Sequence, residues 1–348
     1  MHKLQNIIVP KKYKVNDLVK LIFLIIFDVF INFIKKSQNT IPAEVNSILL
    51  IRLDNLGDIL LTRPLLYSLH DSFPGNDVDL LVANPSFGFL FNEPWIHIYI
   101  KTRSILKGLK LKKYDLIIEP KGRLDYAFLS WWLKPKFSIG FGDAGGGSFF
   151  DISLYQVDQN PIEKNKQICR ALNIVYKDEY PEIIIEDRLI NQYRKYSNCI
   201  LIMPYSSKSE KDWLIENYIK VANHFKVHNL QVIFGGESYR KIDFDFIKKA
   251  GYIVELFESS QLTNLVALIK SVKLLIGSDS APIHIAAAEK TNSLAIFLKE
   301  NPLIWHPYME IDGHYYIDAR SEDLALDKLI NKVELILDKD EKKSKYKK

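Results

Sequence analysis

From Asn46 onward, short β-branched or Leu-rich runs alternate with longer stretches of helical spacing. The runs predict strands at Ile48–Arg52, Val78–Ala83, Ile96–Ile100, Asp115–Glu119 and Phe137–Ile139, with helices from Asp58 to about Ser72 and from Leu124 to about Leu133. A second series follows at Ile200–Met203, Gln231–Phe234, Ile253–Leu256, Leu274–Ile276 and Leu294–Phe297, its helices starting near Leu214, Tyr239, Ser260 and Pro282. Near-continuous apolar strands separated by helices imply parallel sheets covered on both faces. Two such series predict an α/β chain of two facing, doubly wound domains. The first is expected over residues 46–190 and the second over 191–338. A closing helix is expected from about Ser321 to Asp338, and a mobile Lys-rich tail over 339–348.

Before these series the pattern is different. Leu18 to Ile34 reads LVKLIFLIIFDVFINFI, with Lys11, Lys12 and Lys14 before it and Lys35 and Lys36 after it. As a helix it is about 25 Å long, short of the roughly 30 Å hydrocarbon core of a bilayer. On a helical wheel Asp17, Lys20, Asp28, Asn32 and Lys35 fall opposite Leu21, Ile22, Ile25, Ile26, Val29 and Phe33. A broad apolar face, a polar stripe and lysine flanks suit a helix lying in a membrane surface. Packing on the protein's own body is the competing reading. Asp28 and the lack of a small-residue cleavage site argue against a signal peptide, and burying Asp28 and Asn32 argues against a spanning helix.

Composition narrows the class. Of the 348 residues 47% are hydrophobic and 26% charged, ordinary for a folded globular chain. The net charge of +5 is unevenly placed: seven Lys face three acidic residues in 1–45 and six face two in 339–348, leaving −3 on the body between. That excludes a basic nucleic-acid-binding body and puts the positive ends in reach of an anionic membrane. Two cysteines without a Cys/His cluster predict free thiols and no metal site.

Ligands of doubly wound sheets bind beyond the carboxyl ends of the strands. After Ile48–Arg52 comes Leu53-Asp54-Asn55-Leu56-Gly57-Asp58. Asp58 at a helix start fits either a general base, favoured by the helix dipole, or a simple N-cap. After Ile200–Met203 the loop holds Ser206, Ser207 and Lys211, hydroxyls and an ammonium group that suit phosphate oxygens, without the glycines of a Walker loop, and Lys208, which reads as part of a solvated polar turn. Gly235-Gly236-Glu237 follows the next strand; its glycines let the backbone approach something closely, and Glu237 can accept two hydroxyl hydrogen bonds as a ribose-binding acid does. Gly277-Ser278-Asp279-Ser280-Ala281-Pro282-Ile283-His284 starts a helix whose free N–H groups suit an anion.

Taken in order, these loops resemble glycosyltransferase family 9, the lipopolysaccharide heptosyltransferases, over about Ser47 to Asp338. The resemblance rests on IRLDNLGDILLTRPLL (51–66), Lys211-Asp212-Trp213, GSDSAPIHIAAA (277–288), and YDLIIEPKGRLDYAFLSWWL followed by FSIGFGD (114–143). It implies a GT-B fold of two Rossmann-like domains, acceptor in the first and nucleotide sugar in the second. It also implies inverting, metal-independent transfer of heptose from ADP-heptose to a lipid-linked saccharide such as lipopolysaccharide core, with no cofactor. By the same resemblance Asp58 falls on the catalytic base. Ser206, Ser207 and Lys211 fall on the diphosphate-holding positions, with Lys211 also countering leaving-group charge, and Glu237 falls on the ribose acid. Asp279, Ser280, Ala281 and His284 fall on the donor loop. The family usually has Gly at Ala281; Pro282 biases that residue toward extended backbone, so Ala is expected to be tolerated.

Arg52, Arg63, Lys121 and Arg123 lie near strand ends or loops of the first domain and are candidates for an anionic acceptor, with plain surface charge as the alternative. A glycolipid acceptor and the basic N-terminal segment together predict peripheral attachment to the cytoplasmic face of the plasma membrane. The rival readings are a nicotinamide-dependent oxidoreductase, weakened by the lack of Gly-x-Gly-x-x-Gly after the first strand, and a non-catalytic nucleotide-sugar-binding membrane protein.

Overall fold

The computed structural model describes residues 44–348 except 157–159, 178–181, 229, 307–312, 322–323 and 347–348, and before 44 only residues 22, 26, 27, 29–31, 41 and 42. The chain forms two compact units, Met1–Pro181 and Glu182–Lys348.

In the first unit the strands are β1 (Ile48–Arg52), β2 (Val78–Val82), β3 (Ile96–Ile100), β4 (Leu116–Glu119), β5 (Phe137–Phe141) and β6 (Ile152–Leu154). The helices are α1 (Leu56–Leu60), α2 (Arg63–Ser72), α3 (Arg103–Lys112), α4 (Leu124–Leu133) and α5 (Pro161–Ala171). Every strand pair is parallel and the order is β3-β2-β1-β4-β5-β6. Leu50, opposite Leu80 on one side and Ile118 on the other, sits in the middle of the sheet. All residues of β1, β2, β4 and β5 are buried, as continuous apolar strands between two helix layers must be.

The single helix expected from Asp58 to Ser72 is two. Pro64 supplies no N–H, so the helix restarts after Thr62 with Pro64 in its first turn. The Asp58 carbonyl at this break accepts the Arg52 guanidinium at 2.7 Å and the Thr62 hydroxyl at 2.9 Å.

The second unit repeats the plan with β7 (Cys199–Met203), β8 (Gln231–Glu237), β9 (Ile253–Phe257), β10 (Leu274–Ser278), β11 (Ser293–Phe297) and β12 (His314–Asp318). Its helices are α6 (Asp187–Tyr193), α7 (Ile215–Val227), α8 (Lys241–Lys249), α9 (Leu262–Ser271), α10 (Ala281–Ala288), α11 (Pro302–Trp305) and α12 (Leu326–Tyr346). The order β12-β11-β10-β7-β8-β9, all parallel, is the first unit's order counted from the opposite edge. Both are the strand order of a Rossmann fold, with the winding reversing between β1 and β4 and between β7 and β10.

Two boundaries differ from expectation. The units divide at Pro181/Glu182, earlier than residue 190, because α6 packs against α9 and so belongs to the second sheet. The closing helix also runs past Asp338: α12 continues through the Lys-rich end to Tyr346, a stretch in which nothing from Lys339 to Tyr346 is Pro or Gly. Asp340 accepts from the Asn292 amide at 3.2 Å, and the Lys339 ammonium lies 5.4 Å from the Tyr315 ring centroid.

The described residues of the N-terminal segment are helical at 22, 26, 27 and 29–31. Ile31 is buried with Leu124, Ala127, Phe149 and Phe150, and the Phe27 ring meets Trp131 edge-on at 5.5 Å and Phe149 at 6.0 Å. Ile22, Ile26 and Phe30, one helical stripe, are 50%, 63% and 55% exposed. Asp17, Lys20, Asp28, Asn32 and the flanking lysines lie outside the described residues. Among the described residues no helix is long and apolar enough to cross a membrane.

Candidate active site

Each winding reversal leaves a crevice at the carboxyl ends of the two strands that flank it, and the loops leaving those strands carry the expected residues. After β1, Asn55 takes the N-cap position of α1 and Asp58 stands in the first turn. Asp58 is therefore not the cap: its carboxylate Oδ2 accepts from the Lys121 ammonium at 2.9 Å. Lys121 leaves β4, the strand beside β1, so the winding reversal is what brings these residues together.

The turn that presents Lys121 is built by Glu119, the last residue of β4. Its carboxyl is fully buried and accepts from the Lys121 N–H at 3.0 Å and the Gly122 N–H at 2.8 Å. Gly122 has φ +83°, and a Cβ there would press on Phe141 at 3.0 Å, so this turn requires glycine. Burial pushes Glu119 up to about 8, with repulsion from Asp54 adding to it and the two N–H donors and Arg52 opposing.

A cavity of about 410 Å³ opens here, within the size range of small-ligand sites, walled by Asp54, Asp58, Asn84, Lys121, Arg123 and Tyr126 among others. Of the four cations expected to meet an anionic acceptor, Lys121 and Arg123 line it. Arg123 is also bidentate to Asp125 at 2.9 and 3.1 Å. Arg52 and Arg63 do not. Arg52 is 2% exposed and bonded to Thr62, Asp54 and the Asp58 carbonyl, so it shapes the Asp58 loop from beneath. Arg63 is 0% exposed, held by the Leu90 carbonyl at 2.9 Å and Glu93 at 2.6 Å. Its position in the first turn of α2 points it into the core, a direction that strand-end proximity in the sequence does not reveal. Asp54, Asn84 and Tyr126 were not singled out as site residues; Asp54 lies in the 51–66 motif, and the signal for the others is only that they fall near strand ends.

In the second unit the loops from β7 and β10 meet in the same way. The Lys211 ammonium lies 2.7 Å from Asp279 Oδ2 and 3.6 Å from Glu300 Oε1. Glu300, in the loop after β11, was missed, although an acidic residue at that strand end was a readable signal. Ser206 is buried: its N–H donates to Asp212 at 2.6 Å and its hydroxyl to the Lys208 carbonyl at 2.7 Å, which closes the turn. Ser207 and Glu237 are exposed, Glu237 as the last residue of β8. Ser280 is the N-cap of α10, Ala281 and Pro282 begin it, and His284 is buried in it. Ala281 is not among the residues with positive φ, so Ala in place of the family's Gly introduces no backbone strain there.

The glycines of the third loop have a structural reason. A Cβ on Gly235 would lie 2.7 Å from the Met203 sulfur, and one on Gly236 2.2 Å from the Phe244 ring. The close approach read from the sequence is therefore to the protein's own core.

Two Rossmann-type units, each with polar, charged loops gathered at its winding reversal, are the parts of a GT-B fold. Residues 102–327 match the sequence pattern of glycosyltransferase family 9 (heptosyltransferase), and the chain belongs to that family. It is 27% identical over 289 residues, covering 77% of this chain and 83% of the relative, to the lipopolysaccharide core heptosyltransferase OpsX of Haemophilus influenzae. It is 25% identical over 288 residues, 73% and 83% of the two chains, to lipopolysaccharide heptosyltransferase 3 of Escherichia coli. Among solved structures it resembles a family 9 glycosyltransferase from Veillonella parvula, with TM-score 0.70, 17% identity and coverage of 86% and 99%. It also resembles Escherichia coli ADP-heptose heptosyltransferase II, with TM-score 0.68, 17% identity and coverage of 85% and 99%. The family match begins after the Asp58 loop, so the assignment of that residue rests on its motif and its surroundings.

Proposed function

We propose that this glycosyltransferase moves a heptose from ADP-heptose, with inversion and without a metal ion, onto a lipid-linked saccharide such as lipopolysaccharide core. The observation that carries the reading is the Asp58 carboxylate in the wall of the first unit's cavity, oriented by Lys121 at 2.9 Å. Asp58 accepts the proton of the acceptor hydroxyl as that oxygen attacks the anomeric carbon, and the nucleoside diphosphate departs from the opposite face. Arg123, and Lys121 beyond its contact with Asp58, offer positive charge to an anionic acceptor.

In the second unit Lys211 takes the diphosphate, exchanging contact with Asp279 and Glu300 for phosphate oxygens. Ser207, the start of α10 at Ser280–Pro282 and His284 complete the grip, Ser206 closes the turn that carries Ser207 and Lys211 toward it, and Glu237 holds the ribose. The relatives named as lipopolysaccharide heptosyltransferases support the donor and acceptor assignment.

The same reading attaches the protein to the cytoplasmic face of the plasma membrane. Phe27 and Ile31 fasten the N-terminal helix to the first unit, which leaves the stripe of Ile22, Ile26 and Phe30 for the acyl boundary and the flanking lysines for anionic headgroups. The test is a screen of the purified chain against nucleotide sugars, reading nucleoside diphosphate release with and without membrane extract. ADP release from ADP-heptose that depends on the extract is the expected result. Turnover of another nucleotide sugar, with ADP-heptose inert, would overturn the donor assignment.

A further inference from the structure

In the second unit a cluster unconnected with sugar transfer brings three metal-ligating side chains together. His224 stands in the last turn of α7 and His228 is the residue that caps its end, and Glu334 reaches them from α12, which packs on α7. One ligand atom from each lies within 4.8 Å of the other two, and His224 Nε2 is 2.9 Å from Glu334 Oε1. The sequence signal is His-x-x-x-His on a helix, a spacing that sets two imidazoles on one face.

From these residues we propose that His224, His228 and Glu334 bind one divalent transition-metal ion of the zinc class, which clasps the C-terminal helix α12 to α7. Two imidazoles and a carboxylate are a donor set for zinc, and a water molecule fills the fourth tetrahedral position. Bonds of about 2.0–2.2 Å place tetrahedral donors roughly 3.3–3.5 Å apart. The widest separation, 4.8 Å at most, therefore has to close by up to about 1.5 Å, within reach of side-chain rotation because all three residues are at least partly exposed. The edge-on contact of the His224 ring with Phe225, 5.0 Å between centroids, limits the rotation of that ligand. Neighbouring cations on the two helices reach aromatic rings: Lys226 lies 5.6 Å from the Tyr252 centroid and Lys332 5.2 Å from Tyr315.

The location separates this site from the reaction. A helix that follows a parallel strand runs back toward the strands' amino ends, so the last turn of α7 lies at the end of the sheet opposite the Ser206–Lys211 loop. The ion is structural: it ties two helices of one unit and touches no residue assigned to donor or acceptor.

The experiment uses the full-length, chelator-stripped chain. Calorimetric titration with zinc chloride in a non-coordinating buffer is expected to show one ion per chain. Affinity falls at least tenfold in His228→Ala, which leaves the His224–Glu334 hydrogen bond intact, and binding is lost in His224→Ala/His228→Ala. At zinc a hundredfold above its dissociation constant the unfolding midpoint of the wild-type chain rises by about 5–10 °C, and that of the double variant does not move. Failure to bind zinc stoichiometrically, or undiminished binding in the double variant, overturns the proposal and leaves the trio a hydrogen-bonded helix contact. Both outcomes are independent of donor turnover, since the variants lie outside the sugar-transfer residues.

Discussion

Replacing Arg63 by methionine separates a core cation from a substrate-binding one. The guanidinium is 0% exposed, bonds the Leu90 carbonyl and pairs with Glu93 at 2.6 Å, and Tyr67 donates to the same Glu93 oxygen at 2.8 Å. Methionine retains much of the apolar volume beside the Phe91 ring but leaves the Glu93 carboxylate buried with only part of its compensation. Breaking a buried pair in this way costs about 3–5 kcal/mol. With a urea dependence of roughly 2–3 kcal/mol per molar, the first unit's unfolding midpoint should fall by about 1–2.5 M. Near-ultraviolet dichroism follows this unit, because the Trp95 ring stacks on His70 at 4.1 Å and meets Tyr67 edge-on at 5.1 Å. In Arg63→Met/Glu93→Gln no charge is left unpaired, and at least half of the loss should return. A midpoint within about 0.3 M of wild type, together with a raised KM for acceptor, would refute the buried-pair argument and restore Arg63 to the acceptor site.

Three further outcomes are expected. Asp58→Ala should lower kcat by about 10²–10⁴ with little change in donor affinity, and an unchanged transfer rate would remove this carboxylate from the chemistry. Glu119 is raised from 4.5 to about 8 in the folded chain, so it binds a proton there that the unfolded chain has released. Its contribution is full below about pH 4.5 and disappears as pH rises through 8, a slope of about 1.4 kcal/mol per pH unit across the window. Urea titrations between pH 5 and 8 should show that slope reduced in Glu119→Gln; equal slopes would mean the carboxyl is already ionised throughout. Ile26→Glu/Phe30→Glu should weaken co-sedimentation with anionic phospholipid vesicles at least tenfold while leaving donor hydrolysis intact, and unaltered sedimentation would show that this stripe does not meet lipid.

The two crevices share one physical plan. In each sheet the chain leaves the middle strand toward one edge and returns to wind toward the other, which opens a gap at the strands' carboxyl ends. Each gap collects an acid and a lysine from loops far apart in sequence: Asp58 with Lys121 in the first unit, Asp279 with Lys211 in the second. Around the first pair Glu119 and Gly122 set the turn and Arg52 braces the Asp58 carbonyl from below, groups that stay out of the cavity, while Lys121 orients the carboxylate from the cavity wall.

Local chemistry along the chain was enough to find ten of the twelve strands of the described residues, because a parallel strand buried on both faces is a continuous apolar run wherever it sits. It also located the loops carrying Asp58, Lys211 and Asp279, since Gly, Pro and polar residues mark strand ends. Two strands escaped: Ile152–Leu154 because three residues are too few to make a pattern, and His314–Asp318 because HYYID opens and closes on polar residues and has no continuous apolar run. Partnership was beyond reach. Lys121 meets Asp58 across 63 residues and Lys211 meets Asp279 across 68, while Arg63 turns to Glu93 in the core instead of to the cavity. The pattern of side chains determines which segments are strands. Which loops become neighbours depends on strand order, and strand order is a property of how whole units pack.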